Sequence, residues 1–379
     1  MNDQSRPAAI IYTHSLLEGS CTFIKSHAEA LTRHTAIYAG GRRVAGLELP
    51  PQRTHVVNEG GPLGVVREAA FRSFGWAPGL VQKLKAHQPR IVHAHFGTSG
   101  PAGMNLARKL DVPLLVTFHG QDATAVGANR RMSHRERELQ NKKQQLIREA
   151  GAFIAVSEYI RERLLEQGYP GAKIILHRNG IDLDYFRPST DIEREPIIVF
   201  IGRFVEKKGG EYLVEAVREL HESGVRLELV MIGGGPLEES LKARAAKSRI
   251  PCRFTGFLPA SEVRQWLNRA AVVAIPSVVA SDGDSEGLPT IQLEAQAMGT
   301  PVVATRHSGI PEGVIEGVTA ELVDERDTKA LAIALRSFLE SQDKVQEFGE
   351  AGRRFVAEQF DLRSQVCGLE DIYQRLRAR

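Results

Sequence analysis

The sequence has few of the features that mark secreted, membrane-spanning or metal-binding proteins. Its three cysteines, Cys21, Cys252 and Cys367, are odd in number and lie far apart, so they indicate neither a disulfide framework nor a metal site. No apolar run approaches the roughly 18 to 20 residues that a helix needs to cross a bilayer. The N-terminal stretch carries an early acidic residue and lacks the apolar core of a signal peptide. These absences together predict a cytoplasmic protein.

The composition that remains is that of an ordinary globular protein, with 42% apolar and 25% charged residues, but its charge is unevenly distributed. Residues 1–190 contain 25 lysines and arginines against 16 acidic residues, whereas the remainder contains 24 against 30. A basic first half favours an anionic partner for that half. Because no basic-aromatic motif of the kind that recognises nucleic acid is present, we expect that partner to be an anionic membrane surface and not nucleic acid. The protein would then be peripheral on the inner face of the cell membrane.

Two segments carry this membrane hypothesis. Asn129–Arg148 has seven lysines and arginines against two acidic residues, and Gly64–Trp76 mixes basic and aromatic residues. The alternative for the first segment is a solvated helix with internal ion pairs such as Glu138 with Lys142.

Short apolar runs alternate with helix-like stretches along the whole chain, which is typical of βαβ units and parallel sheets. Since 379 residues are too many for one hydrophobic core, we predict two Rossmann-like α/β domains: residues 1–185, to which an amphipathic C-terminal helix in 360–379 returns, and residues 186–359. The predicted strands are Ala8–Tyr12, Thr35–Tyr38, Ile91–His95, Leu114–Phe118, Phe153–Val156, Ile174–Leu176, Ile197–Ile201, Leu227–Ile232, Val272–Ile275 and Val302–Ala304.

A glycine-rich basic loop follows the first strand of the second domain. It reads GRFVEKKG over Gly202–Gly209 and starts at the carboxyl end of its strand, where ligands bind in open α/β sheets. Arg203 and Lys208 at this edge could neutralise a diphosphate without a metal ion. A solvated strand-to-helix loop is the alternative explanation.

The stretch EGLPTIQLEAQAMGTP, residues 286–301, predicts a helix that begins near Pro289. Glu286 and Gly287 then lie just before the helix and Glu294 lies inside it. The first backbone N–H groups of a helix are unpaired and can bind phosphate or sugar oxygens. Taken alone, this pattern also fits a capped surface helix.

The first domain has a candidate site at the end of the strand Leu114–Phe118, where the sequence reads TFHGQD. His119 could hydrogen-bond a transferred sugar, and Gly120 would keep the backbone out of the way. A lone histidine at a strand end is also commonly structural.

Taken in order, the HG-x-D turn, the glycine-arginine-x4-lysine-glycine loop, a glycine-proline turn at 235–236 and the glutamate-x7-glutamate segment resemble the retaining glycosyltransferases of family 4. The resemblance runs from Gly19 to Val323. It implies the GT-B fold, in which two Rossmann-like domains with parallel sheets face each other across a cleft. The stretch GSCTFIKSHAEAL is similar to members that build bacterial exopolysaccharides.

The resemblance implies a role for each matching residue. Arg203 and Lys208 would hold the donor diphosphate, Glu286 the donor sugar, Glu294 the ribose, and His119 the sugar near the reacting carbon. The expected catalytic residues are His119, Arg203, Lys208 and Glu286. The expected donor-binding residues are Gly19, Arg203, Lys208, Glu286, Gly287, Leu288 and Glu294. The first loop departs from the family, since it reads Glu18-Gly19-Ser20 where a glycine pair is frequent.

The implied reaction moves a hexose-type sugar from a UDP- or GDP-sugar to a hydroxyl of a glycan, lipid-linked or small-molecule acceptor, with no covalent intermediate. We expect no metal and no cofactor. Asp282-Gly283-Asp284 spells an acid-x-acid motif that could hold a divalent ion, but Asp182-Leu183-Asp184 spells it as well. A nucleotide-sugar epimerase of the same fold, or a non-catalytic nucleotide-sugar-binding protein, are the alternatives.

Overall fold

The alternation of strands and helices folds into two parallel sheets in the computed structural model, which describes residues 6–124, 132–189 and 194–378. These described residues divide into two units. The first unit runs to Gly180 and resumes at Leu362, and the second unit is Ile181–Asp361. The sequence placed the first boundary after residue 185 and the second after residue 359.

The first unit contains a seven-stranded sheet with helices between the strands. Its strands are β1 Ala8–Ser15, β2 Thr35–Arg42, β3 Thr54–Asn58, β4 Pro89–His95, β5 Leu114–Phe118, β6 Ala152–Ala155 and β7 Ile174–Leu176. Its helices up to the boundary are α1 Thr22–Glu29, α2 Gly61–Phe74, α3 Pro78–Lys85, α4 Gly100–Leu110, α5 Gln121–Thr124, α6 His134–Glu149 and α7 Glu158–Glu166.

The second unit contains a six-stranded sheet. Its strands are β8 Glu195–Ile201, β9 Glu228–Ile232, β10 Cys252–Gly256, β11 Ala270–Ile275, β12 Val302–Thr305 and β13 Ala320–Val323. Its helices are α8 Gly210–Glu222, α9 Glu238–Lys247, α10 Ala260–Arg269, α11 Thr290–Ala297, α12 Thr328–Leu339 and α13 Gln342–Gln359. The last helix, α14 Leu362–Arg377, belongs to the first unit.

Both sheets are parallel and doubly wound, as the sequence predicted. The strand orders are β3-β2-β1-β4-β5-β6-β7 and β10-β9-β8-β11-β12-β13, and every pairing within them is parallel. The order reverses between β1 and β4 in the first sheet and between β8 and β11 in the second. In open α/β sheets, ligands bind beyond the carboxyl ends of the strands at such a reversal.

The strand sequences explain this architecture. The central strands are apolar throughout, for example IIVF at 197–200 and AAVVAI at 270–275, and these residues are buried. A strand that is covered by helices on both faces of its sheet needs apolar side chains on both faces. Apolar side chains of the second sheet accordingly pack into two separate clusters.

Helix α14 completes the core of the first unit. Val366, Leu369 and Tyr373 are buried on one face of the helix and pack into the cluster formed around β1 and β2. The carboxylate of Glu370, which is fully buried, accepts hydrogen bonds from the backbone N–H of Arg33 at 2.7 Å and from the Thr32 hydroxyl at 2.9 Å. Among the described residues, no helix has the length and apolar character needed to cross a membrane.

Candidate active site

The loops that follow β8 and β11 meet at the switch point of the second sheet. Gly209 has a left-handed conformation with φ of 65°, and a Cβ there would overlap the carbonyl oxygen of Pro276. Gly233, with φ of 131°, would likewise overlap the carbonyl of Gly202. Both positions need glycine because an L residue is strained at positive φ and has no space for its Cβ. The glycines therefore let three strand-end loops approach one another closely.

Lys208 and Glu286 form a mostly buried ion pair where these loops meet, with Nζ of Lys208 2.9 Å from Oε1 of Glu286. Burial by itself would raise the pKa of the Glu286 carboxyl, but the ammonium groups of Lys208 and Lys207 outweigh it and lower that pKa to about 2. Glu286 is therefore a carboxylate at neutral pH, able to accept hydrogen bonds from sugar hydroxyls. The structure thus brings together two residues that lie 78 positions apart in the sequence.

A second buried ion pair, which no motif of the sequence indicates, fixes the same loop. Nζ of Lys207 lies 2.9 Å from Oδ1 of Asp284 and donates to the backbone carbonyl of Ser285 at 3.2 Å. Burial raises the pKa of Asp284, and Lys207 acts against this effect. The two neighbouring lysines thus have different tasks: Lys207 anchors the loop and Lys208 reaches the candidate site. The double lysine of the sequence was the only signal for this division.

Arg203 lies at the carboxyl end of β8 and is exposed. Within the described parts of the chain, no hydrogen bond or ion pair engages its guanidinium group. Since Arg203 directly follows Gly202 at the switch point, its five N–H donors are available to an anionic ligand.

The backbone at Gly287 and Leu288 is buried and leads into α11, whose first residue is Thr290. Glu294 lies on this helix and is half-buried. Burial raises the pKa of the Glu294 carboxyl from its ordinary 4.5 to about 7. The two glutamates of the segment therefore have opposite character, since Glu286 is held ionised while Glu294 titrates near neutrality.

In the first unit, His119 follows β5 and its ring is held by other rings. Nε2 of His119 is 3.1 Å from Nδ1 of His95, and the two rings stack with centroids 5.4 Å apart. Phe23 and Phe96 contact the same ring. Burial lowers the pKa of His119 to about 3, so the ring is neutral. Among the described residues, Nδ1 of His119 is buried without a hydrogen-bond partner.

Asp122 explains the shape of the turn that carries His119. Its buried carboxylate accepts hydrogen bonds from the backbone N–H groups of His119 at 3.0 Å, Gly120 at 2.9 Å and Gly97 at 2.6 Å. The aspartate of the HG-x-D pattern thus orders the turn, so its role is structural.

Gly19 lies in an exposed turn after β1. A Cβ at this position would meet no atom within 4 Å in the described structure. Packing therefore does not require glycine here, and its proposed place beside a phosphate remains a prediction.

Comparison with known proteins identifies the family. The family model "Glycosyltransferase Family 4" matches residues 19–185, and the model "Glycosyl transferases group 1" matches residues 184–355. The amylovoran biosynthesis glycosyltransferase AmsK of Erwinia amylovora is 33% identical over 333 residues, which cover 82% of this chain and 79% of AmsK.

A Salmonella typhimurium protein assigned by name to colanic acid biosynthesis, the glycosyltransferase WcaL, is 33% identical over 299 residues, covering 76% of this chain and 72% of WcaL. The solved structure of Anabaena HepE in complex with UDP-glucose superimposes with a TM-score of 0.79 at 18% identity, covering 97% of this chain and 99% of HepE. The chain therefore belongs to glycosyltransferase family 4 and is a glycosyltransferase of the GT-B fold.

Proposed function

We propose that this glycosyltransferase moves a hexose-type sugar from a UDP- or GDP-sugar to a hydroxyl group of a glycan or lipid-linked glycan in bacterial polysaccharide biosynthesis. The observation that carries the proposal is the buried Lys208–Glu286 pair at the switch point of the second sheet, together with Arg203 of the same loop, whose guanidinium group is exposed and engaged by no described residue. Such a site offers positive charge to a diphosphate and a carboxylate to a sugar. The relatives named for colanic acid and amylovoran support the polysaccharide, and the HepE complex supports a uridine nucleotide.

In this proposal, Arg203 and Lys208 hold the donor diphosphate, and their attraction strengthens as the sugar departs and negative charge grows on the leaving group. Glu286 accepts hydrogen bonds from the sugar hydroxyls, with the backbone of Gly287 and Leu288 beside it. Glu294 accepts hydrogen bonds from the ribose hydroxyls.

The remaining assignments concern the reacting carbon. His119, neutral and with a free ring nitrogen, hydrogen-bonds the transferred sugar, and Gly19 leaves room for the phosphates. The bond between the anomeric carbon and the diphosphate oxygen breaks as the acceptor oxygen bonds to that carbon on the same face, and the hydroxyl proton passes to the departing diphosphate, so configuration is retained. Because the positive groups and not a nucleophile lower the barrier, no covalent intermediate with the enzyme forms.

A thermal-shift panel of UDP, GDP, ADP and TDP tests the donor site. A ligand at 100 times its dissociation constant adds about 2.7 kcal/mol of stability, which raises the melting temperature by roughly a few degrees. We expect UDP or GDP to give this shift, and Arg203→Ala and Lys208→Ala to reduce it. Lys247→Ala, which removes an exposed lysine of α9, is the matched control. If none of the four nucleotides shifts the wild-type protein, the proposed donor site is wrong.

We propose that transfer needs no metal ion. The acid-x-acid stretch at Asp282–Asp284 is the strongest metal candidate of the sequence, but Asp284 is paired with Lys207, and its other neighbours include the carboxylate of Glu286. An ammonium group already occupies the position that a cation would take. We expect full transfer activity in EDTA. Loss of activity in EDTA that magnesium or manganese restores would overturn this proposal.

The two rival functions have direct tests. An epimerase converts the donor sugar without any acceptor, so a new nucleotide sugar in acceptor-free reactions would favour it. A nucleotide-sugar-binding protein without activity would show the thermal shift but transfer no labelled sugar to any acceptor of the glycan or lipid-linked class. His119 favours catalysis over binding alone, because its ring is neutral and, among the described residues, its Nδ1 has no hydrogen-bond partner.

We further propose that the first unit docks on an anionic membrane through α2 and the residues that follow it. Five large apolar side chains there are exposed, among them Leu63 at 72%, Phe74 at 82% and Trp76 at 57%. Residues 60–90 contain five lysines and arginines and a single acidic residue, Glu68, which is buried against His14. An apolar face with cations and no exposed acid complements an anionic lipid surface.

The other basic segment fits this role less well. Residues 129–131 lie outside the described residues. In the remainder, Lys142 pairs with Glu138 at 2.9 Å, and Arg72 lies 3.9 Å from the same glutamate. Lys142 therefore fits the alternative interpretation of this segment, a helix with internal ion pairs.

Sedimentation with phosphatidylglycerol vesicles at low and high salt tests the membrane proposal. We expect binding at low salt that the double substitution Phe74→Ser with Trp76→Ser abolishes. Ile333→Ser, which alters an equally exposed apolar residue of α12, should leave binding unchanged. Absence of wild-type binding at low salt, or equal binding by the double variant, would contradict the proposal.

A further inference from the structure

The loop that carries Glu286 is held by side chains from the next two strand ends of the sheet. His307 follows β12 and Glu325 follows β13, while the loop itself follows β11. The backbone N–H of Glu286 donates to Nε2 of His307 at 3.2 Å, and Nδ1 of His307 is 2.7 Å from Oε1 of Glu325. These contacts form a continuous chain of hydrogen bonds across three adjacent strand ends.

The direction of each hydrogen bond follows from the donors. A backbone N–H can only donate, so Nε2 of His307 must be the acceptor and must carry no proton. The ring proton is then on Nδ1 and is donated to the Glu325 carboxylate. The hydroxyl of Ser308, 3.0 Å from the same Nε2, can also donate to it. The arrangement therefore requires a neutral His307 in one tautomer, which Glu325 selects.

Glu325 is itself fixed to the start of the same loop. Its Oε2 accepts the backbone N–H of Val279 at 2.9 Å, and Arg326 donates to the carbonyl of Val279 at 2.6 Å and pairs with Glu325 at 3.2 Å. The side chain of His307 is fully buried. The loop is thus clamped near both its ends, once at Val279 and once at Glu286.

We propose that His307, oriented by Glu325, is a positioning residue that sets the backbone of Glu286 and thereby places its carboxylate against the transferred sugar. The inference rests on the proposed function, in which Glu286 contacts the donor sugar. His307 touches no substrate in this proposal. Its effect on the reaction comes through the geometry of Glu286, and a displacement of about 1 Å at such a group can cost a hundredfold in rate.

Two substitutions separate the two hydrogen bonds of the ring. In His307→Asn the shorter amide can still donate to Glu325 but does not reach the Glu286 N–H, whereas the longer amide of His307→Gln places an acceptor oxygen near the position of Nε2. We expect His307→Asn to lower kcat about 10- to 100-fold, and His307→Gln to recover most of this loss. UDP or GDP, whichever binds, lacks the sugar, so its affinity should change by less than about twofold.

The pH profile gives a second readout. Burial lowers the pKa of His307, and Glu325 and Glu286 act against this effect while Lys207 adds to it. As the pH falls through the pKa of His307, Nε2 gains a proton and can no longer accept from Glu286. The kcat of the wild type at saturating donor should therefore fall as the pH is lowered, and this fall should occur at a pH below the ordinary pKa of histidine. His307→Gln should lack this decline.

The measurements are kcat, donor Michaelis constant and nucleotide affinity for both variants, with His221→Asn, an exposed histidine of α8, as the matched control. A wild type that binds no nucleotide and transfers no sugar would refute the proposed function itself. If the wild type is active and His307→Asn keeps its kcat and pH profile, the positioning role is wrong. The role is also wrong if folded His307→Gln is as impaired as His307→Asn, since packing and not the hydrogen bond then matters.

Discussion

If Glu294 binds the donor ribose as we propose, its half-buried carboxyl should make donor binding dependent on pH. Burial raises its pKa to about 7 in the free protein. A carboxyl group that accepts hydrogen bonds from two ribose hydroxyls must be deprotonated. Below pH 7, binding must therefore first remove a proton, so nucleotide affinity falls as the pH falls. If bound nucleotide lowers the pKa of Glu294 from near 7 to well below 6, the dissociation constant at pH 6 should be about tenfold higher than at pH 8.

Isothermal titration calorimetry with UDP or GDP at pH 6, 7 and 8 measures this effect. The nucleotide also titrates in this range, so the comparison that isolates Glu294 is with Glu294→Gln, which keeps the shape but has no proton to lose. We expect the variant to bind with a shallower pH dependence, and with proton release smaller by up to one per nucleotide at pH 6. Equal pH dependence and proton release in both proteins would refute the assignment of Glu294 to the ribose.

Other predictions concern turnover and stability. Arg203→Ala and Lys208→Ala should each lower kcat about 100- to 1000-fold while changing the donor Michaelis constant less, because the proposed attraction to the leaving diphosphate is strongest in the transition state. Steady-state kinetics in which the donor Michaelis constant changes more than kcat would contradict this. Glu286→Ala should lower kcat and accept a wider range of donor sugars, and an unchanged kcat would exclude contact with the moving sugar. Glu370→Ala should lower the free energy of unfolding of the first unit by about 3 kcal/mol, since it leaves buried donors unpaired, and a change below about 0.5 kcal/mol in urea unfolding would show that these hydrogen bonds are not needed. Burial opposes ionisation of Glu370, but its hydrogen bonds lower the pKa to about 2, so its contribution should be complete above the ordinary 4.5 and be lost as the pH falls toward 2.

The strands that the sequence predicts and those that it misses differ in their place in the sheet. Ten strands were predicted, and the three that were not are β3, β10 and β13, which all lie at sheet edges. An edge strand needs no continuous apolar run when its faces are only partly covered, and each of these three strands has partly or fully exposed positions. β10, with the sequence CRFTG, illustrates this, because it alternates polar and apolar residues over only five positions.

The candidate site was predictable in its parts but not in its connections. Motifs identified Lys208 and Glu286 separately, and only the fold shows that they form an ion pair. Nothing in the sequence singles out His307, because a hydrogen bond from a distant backbone N–H to a ring nitrogen leaves no spacing pattern. The opposite pKa shifts of Glu286 and Glu294 likewise depend on burial and neighbouring charge, which a linear motif does not contain.

The return of α14 to the first unit has a consequence for the order in which the chain folds during synthesis. Val366, Leu369 and Tyr373 fill the core beside β1 and β2, yet the ribosome makes them after the whole of the second unit. The second unit is continuous in sequence and can form its core as soon as it emerges, whereas the first unit keeps an apolar face uncovered until α14 emerges. A chaperone that binds exposed apolar surface during translation should therefore find its site on the first unit.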